Sequence, residues 1–278
     1  MTRRRRNAGP RLGGVGEWRR LRAGARSPGL AKPATGARRS RAGNPVAQAD
    51  VTAMFDEIAP VYDRLNTIMT AGRDGSWRRA AVRTAGIGRD AVALDVACGT
   101  GRMTGLLADV VGPFGRVVGV DLAEEMIARA RREYRDVVQL EFEVASALDL
   151  PFEDATFDAA TIAFGLRNLP DYEAGFRELA RVVRPNGRVV CLELTVPRPR
   201  IWGRLFLASF RRFAPLAGRV FGVSQTYRYL PDSLEDFPSA DELAATMARA
   251  GLVEVAYRTL GLGSVALHVG VAPDRRRG

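Results

Sequence analysis

Asp95, Gly99, Gly101 and Asp121 have the types and spacing suited to chemistry. Asp95 lies in a short apolar run at residues 91–96, and Gly99-Thr100-Gly101 follows at once. Neither glycine puts a Cβ between the backbone and a ligand. Residues 103–111 carry a helical pattern, so the loop sits at a helix N-terminus, where free N–H groups favour polar or anionic groups. A second apolar run at 116–120 ends in Asp121. That is about 20 residues past the loop, where a nucleotide fold places the acid that takes ribose hydroxyls. A tight strand-to-helix turn explains the glycines alone, but not a carboxylate closing a buried strand.

Two cofactors fit these residues, a nicotinamide dinucleotide and S-adenosylmethionine. Gly105 comes at the wrong spacing for Gly-x-Gly-x-x-Gly. The Asp-x-x-x-Gly-x-Gly string from Asp95 to Gly101 resembles the first motif of class I methyltransferases, and Asp121 resembles their ribose-binding acid.

The elements that must position these residues follow from hydrophobic periodicity. Strands are expected at 91–96, 116–120, 140–144, 159–164, 188–194, 253–259 and 266–271, and helices at 103–111, 124–134, 172–183 and 240–250. Strands alternating with helices imply a parallel sheet covered on both faces. The last two strands are joined without a helix, so they form an antiparallel hairpin at one edge. Pro185-Asn186-Gly187 reads as a turn before the fifth strand. The fold class is therefore α/β: a Rossmann-like, mostly parallel seven-stranded sheet with an antiparallel C-terminal edge hairpin and helices on both faces, as in class I methyltransferases.

Composition narrows the chemistry. Residues 1–49 hold twelve arginines and Lys32 against Glu17, so this tail carries +12 and the remainder −1 of the net +11. The tail has almost no hydrophobic periodicity and is expected to be disordered. A transit peptide, a polyanion-binding arm and translated upstream sequence without a role all fit it. Lys32 is the sole lysine, which removes Schiff-base and Walker-type chemistry and the Tyr-x-x-x-Lys pair of short-chain dehydrogenases. His268 is the sole histidine, which excludes clustered histidine metal ligands, and no metal site is expected. Cys98 and Cys191 fall at or beside buried strands, as in a reduced cytosolic protein. No apolar run reaches the roughly 20 residues that cross a bilayer.

Residues 50–85 read as an amphipathic cap on the core or as a lid over the cofactor with Tyr62 facing the pocket. Residues 201–222 interrupt the alternation with Trp202, Phe206 and Phe213 near helical spacing and Arg204, Arg211 and Arg212 among them. Such a stripe packs into a core, lies on a membrane surface or lines a greasy channel.

Several stretches together resemble the menaquinone/ubiquinone C-methyltransferase family over residues 51–273. They are Met54-Phe55-Asp56 through Asn66, Gly72 to Arg79, Phe164-Gly165-Leu166-Arg167-Asn168, Arg181 to Gly187 with Leu192-Glu193-Leu194, Tyr227 to Pro238, and Ala266-Leu267-His268-Val269-Gly270. The Phe-Gly-Leu-Arg-Asn and Ala-Leu-His-x-Gly strings are the specific ones, since a general methyltransferase core does not need them. Ser146 stands where such enzymes often have Asp or Asn, Asn186 replaces a usual glycine, and Gly261 to Ser264 departs from the usual segment.

The resemblance implies a methyltransferase domain over residues 50–278, with a helical lid at 50–85 and an insertion at 201–238 on the substrate side. It implies S-adenosylmethionine as cofactor, held by Gly99, Thr100, Gly101, Asp121, Ser146 and Ala147. The implied reaction is C-methylation of a prenylated quinol, with demethylmenaquinol as the expected acceptor. Arg167 would stabilise the ring oxyanion, and Tyr62 or Asn168 would orient the hydroxyl. His268 reads either as a general base or as a structural residue. The expected location is the cytoplasm, with peripheral contact at the inner membrane face. A homodimer is compatible with the sequence, and no specific nucleic acid is expected. A benzoquinol or other aromatic acceptor, and a nucleic-acid-binding protein led by the tail, are the alternatives.

Overall fold

The structure is a computed structural model that describes residues 48–197, 203, 208, 211–212, 234 and 237–274. The expectation for the arginine-rich tail falls outside these residues except at Gln48 and Ala49, as does nearly all of the 201–238 insertion.

Three helices come first: α1 (Gln48–Ile58), α2 (Tyr62–Met69) and α3 (Asp74–Ala85). The alternating part then runs β1 (Val92–Val96), α4 (Arg102–Val111), β2 (Arg116–Asp121), α5 (Glu124–Glu133), β3 (Leu140–Val144), β4 (Phe157–Ala163), α6 (Tyr172–Val182), β5 (Val183–Leu194), α7 (Ala240–Arg249), β6 (Val253–Leu260) and β7 (Val265–Val271). A 3-10 turn at Leu166–Asn168 leads from β4 towards α6.

The sheet order is β3-β2-β1-β4-β5-β7-β6. β3, β2, β1, β4 and β5 pair in parallel, while β7 runs antiparallel between β5 and β6. The central strands are buried on both sides, as parallel strands between helical layers are. Leu94, Val96, Ala160 and Ile162 face one core with α6 and α7; Ala93, Ala159 and Val190 face the other with α3 and α4. α5 packs on the second side through Ile127 and Ala130 against Phe142.

The expected turn at Pro185-Asn186-Gly187 lies inside β5. The register jumps from Phe157 opposite Val183 to Ala159 opposite Arg188, so the extra residues form a bulge. Asn186 sits at φ 64° there, a conformation asparagine tolerates. Its N–H still donates to the Ala272 carbonyl, which keeps the bulge bonded.

Candidate active site

The strand order reverses between β1 and β4, where open α/β sheets form a crevice at the strands' C-terminal ends. The floor of that crevice is built from the loops after β1, β2 and β4. Ala97 at φ 52° and Phe164 at φ 61° hold left-handed conformations at two of these strand ends. Gly165 presses against Ala97 so closely that a Cβ on it would lie 2.3 Å from the Ala97 Cβ. Strain of this kind concentrates at binding sites, where surrounding structure over-determines it.

Asp121 closes β2 and lines the cavity. One carboxylate oxygen accepts the Gly99 N–H at 2.8 Å and the other the Ala123 N–H at 3.0 Å. It therefore fixes the cofactor loop to the start of α5 as well as facing the cavity. Burial raises its carboxyl above the usual range against those hydrogen bonds. Asp95 lies deeper and does not line the cavity. It accepts from the hydroxyls of Thr104 on α4 at 2.7 Å and Thr161 on β4 at 2.8 Å. Burial pushes its carboxyl up to about 6, opposed by those hydroxyls and by the Arg78 charge. The two threonines were not expected, and only a buried acid flanked by hydroxyls in neighbouring elements could have signalled them.

Of the expected site residues, Tyr62, Gly99, Asp121, Ala147 and Asn168 line one cavity. The others face elsewhere. Ala145 and Ala147 are on the wall while Ser146 is not. The Ser146 hydroxyl instead accepts the Leu148 N–H at 3.2 Å. The Thr100 hydroxyl donates to Asp63 at 2.9 Å. Gly101, at φ 87°, leaves room for the rings of Tyr134 and Phe142.

Arg167 needs the largest correction. It is buried, but its guanidinium bonds Glu193 at the end of β5, and its backbone N–H donates to the same carboxylate at 3.3 Å. The 3-10 turn has three residues per turn, so Arg167 and Asn168 point about 120° apart. Asn168 faces the cavity, and its buried side-chain oxygen has no hydrogen-bond partner among the described residues. Arg167 faces the sheet.

α1 and α2 cover the crevice, while α3 packs beside α4 on the face of the sheet. Val51, Phe55 and Tyr62 line the crevice from above, and the Phe55 and Tyr62 rings meet edge to face at 5.9 Å. Three acids of the N-terminal helices hold the floor. Asp56 accepts the Glu125 N–H at 3.0 Å and caps α5, which has no side-chain cap of its own. Asp63 takes the Thr100 hydroxyl, and Asp74, buried, lies 2.6 Å from the Arg102 guanidinium at the first residue of α4. A cation at a helix N-terminus opposes the helix dipole; here Asp63 and Asp74 compensate it.

His268 is fully buried between Tyr257 and the Ala240 carbonyl, 2.9 Å from its Nε2, and burial pushes it down to about 4. It does not line the cavity and is structural. Among the described residues no group of three His, Cys, Asp or Glu side chains could hold a metal ion, and no helix is long and apolar enough to cross a membrane.

The cavity presents three unlike surfaces: the Asp121 carboxylate, an apolar slot made by Leu122, Met126, Ala145 and Ala147, and the stretch where Gly99 and Asn168 line it. Fold and cavity together define a class I S-adenosylmethionine-dependent methyltransferase.

Known proteins agree. The sequence model of the ubiE/COQ5 methyltransferase family matches residues 44–272. A demethylmenaquinone methyltransferase of Bacillus licheniformis is 39% identical over 79% of this chain and 95% of its own length. One from Desulfitobacterium hafniense is 39% identical over 79% of this chain and 88% of its own. A methyltransferase structure from Aquifex aeolicus shares the fold, with a TM-score of 0.55 at 18% identity over 76% of this chain and 97% of that one. The chain belongs to the ubiE/COQ5 methyltransferase family.

Proposed function

We propose that this methyltransferase transfers a methyl group to a ring carbon of a prenylated quinol, with demethylmenaquinol as the acceptor. The observation that carries this reading is the near-full-length similarity to the demethylmenaquinone methyltransferases, which spans both the cofactor floor and the helical cover. S-adenosylmethionine supplies an electrophilic methyl group on a positively charged sulfur.

The chain's own residues have little covalent work to do. A quinol ring is electron-rich, and its carbon needs only to be held in line with the methyl group, at about 3–3.5 Å. Phe55, Tyr62 and Phe164 offer apolar and aromatic walls for a flat ring. Asn168 accepts from a ring hydroxyl through its unmatched oxygen, and Tyr62 orients the same group from the cover. Ionisation of that hydroxyl increases the charge on the ring carbon. Arg167 acts here through Glu193, by fixing the turn that carries Asn168.

The test is methyl transfer by the purified protein to short-chain demethylmenaquinol and to the corresponding benzoquinol, with product read by mass spectrometry. C-methylated naphthoquinol at the higher rate supports the reading. Preference for the benzoquinol replaces the acceptor, and no transfer to either sinks the proposal.

A further inference from the structure

Arg78 belongs to the Gly72 to Arg79 stretch, and none of the roles above uses it. It is only 5% exposed. Its one ion pair is long, 3.9 Å from Nε to Asp74, and Asp74 is already engaged by Arg102 at 2.6 Å. Among the described residues its Nε has no hydrogen-bond partner. A buried charge held so loosely is costly unless something else meets it.

Its surroundings say what that is. The guanidinium carbon lies 5.2 Å from the centre of the Phe164 ring, and Phe164 lines the cavity. Its charge also reaches Asp95 beneath the cofactor loop. The head group thus sits one side chain behind the wall, at the ends of β1 and β4. Among the described residues the cavity lining contains Asp121 and no cation. Arg167, the other buried arginine, is bound to Glu193. The methionine part of the cofactor carries a carboxylate, which two buried acids nearby would repel.

We propose that Arg78 binds the carboxylate of the methionine moiety of S-adenosylmethionine. A planar guanidinium matches a carboxylate's two oxygens, and stacking on Phe164 keeps its edge available. This rests on the cofactor and not on the identity of the quinol.

Calorimetry tests it with S-adenosylmethionine, its decarboxylated analogue and 5′-methylthioadenosine, which lacks the amino-acid group. Arg78→Met should weaken S-adenosylmethionine roughly ten- to a hundredfold, the range for a charged hydrogen bond, and leave methylthioadenosine unchanged. It should also abolish the wild type's preference for the cofactor over the decarboxylated analogue. Equal losses for S-adenosylmethionine and methylthioadenosine, or unchanged S-adenosylmethionine affinity in the folded variant, overturn the assignment. If the Met variant does not fold, Arg78→Lys decides, because it keeps the charge but not the fork: the same preference must shrink at least about threefold, a fraction of one such hydrogen bond. An unchanged preference overturns the proposal. Failure of the wild type to bind either nucleoside would instead refute the cofactor reading.

Discussion

Asp121 and Asp63 both hold the cofactor loop, one from the floor and one from the cover. Asp121 does so as part of the sheet, through backbone N–H groups at 2.8 and 3.0 Å, and burial already raises its carboxyl. Asp63 takes a single threonine hydroxyl and lies 4.0 Å from Arg102, with 38% of its side chain exposed. The floor is fixed by burial and by the two-sided packing of β1, β2 and β4. The cover is attached by Asp56 to α5 and by Asp63 to the loop before α4 and to Arg102. Floor and cover thus differ in how they are held. Changes in the floor should act on folding, and changes in the cover on cofactor exchange.

Arg167→Ala should give the largest effect and mark the floor as structural. Glu193, with no exposed surface, would lose its cation. Stranding one member of a buried pair costs about 3–5 kcal/mol. Denaturant unfolding reads this, and Arg167→Met with Glu193→Leu should recover most of it. A stable, slow Arg167→Ala enzyme would restore the direct catalytic role.

Two buried titrating groups sharpen the comparison through pH. His268 has a folded value of about 4 against 6.5, so its contribution is present above 6.5 and lost as pH falls through about 4. Asp95 has a folded value of about 6 against 3.8, so its contribution is present below 3.8 and lost as pH rises through about 6. Each amounts to about 3 kcal/mol, at 1.36 kcal/mol per pKa unit. The two oppose each other between the folded values, and the raised Asp121 carboxyl adds a fall towards neutral pH. Asp95→Asn should unmask a fall towards acid, and His268→Gln a fall towards neutral pH, both measured by urea unfolding across that range. Parallel curves for both variants and the wild type would rule out these assignments.

Thr100→Val should give the smaller effect expected of the cover. It removes one hydroxyl from Asp63, worth about 1 kcal/mol. Stopped-flow release of S-adenosylmethionine should quicken roughly fivefold, with the unfolding midpoint almost unmoved. A large loss of stability would place this contact in the floor.

The floor was legible because its signals are local. A buried strand, two glycines and a strand-end acid fall in one stretch, and the seven strands fall close to where periodicity puts them. What escaped depends on side-chain direction or long-range contact. Ser146 misses the wall because its hydroxyl turns to the Leu148 N–H, and Arg167 through the pitch of a 3-10 turn. Asp63 and Asp74 meet Thr100 and Arg102 across separate elements, and no spacing along the chain encodes such a meeting. The bulge at Asn186 escaped because a proline-containing turn and a bulged strand share the same residues.

Calorimetric titration of S-adenosylmethionine into the wild type and Asp121→Asn tests the floor as the cofactor site most directly. Asparagine keeps one acceptor oxygen for the loop but cannot offer a carboxylate to the ribose hydroxyls. Wild-type binding, weakened roughly ten- to a hundredfold in a folded variant, is expected from hydrogen bonds to a charged group. Equal affinity in the two folded proteins would contradict it and move the cofactor away from the end of β2.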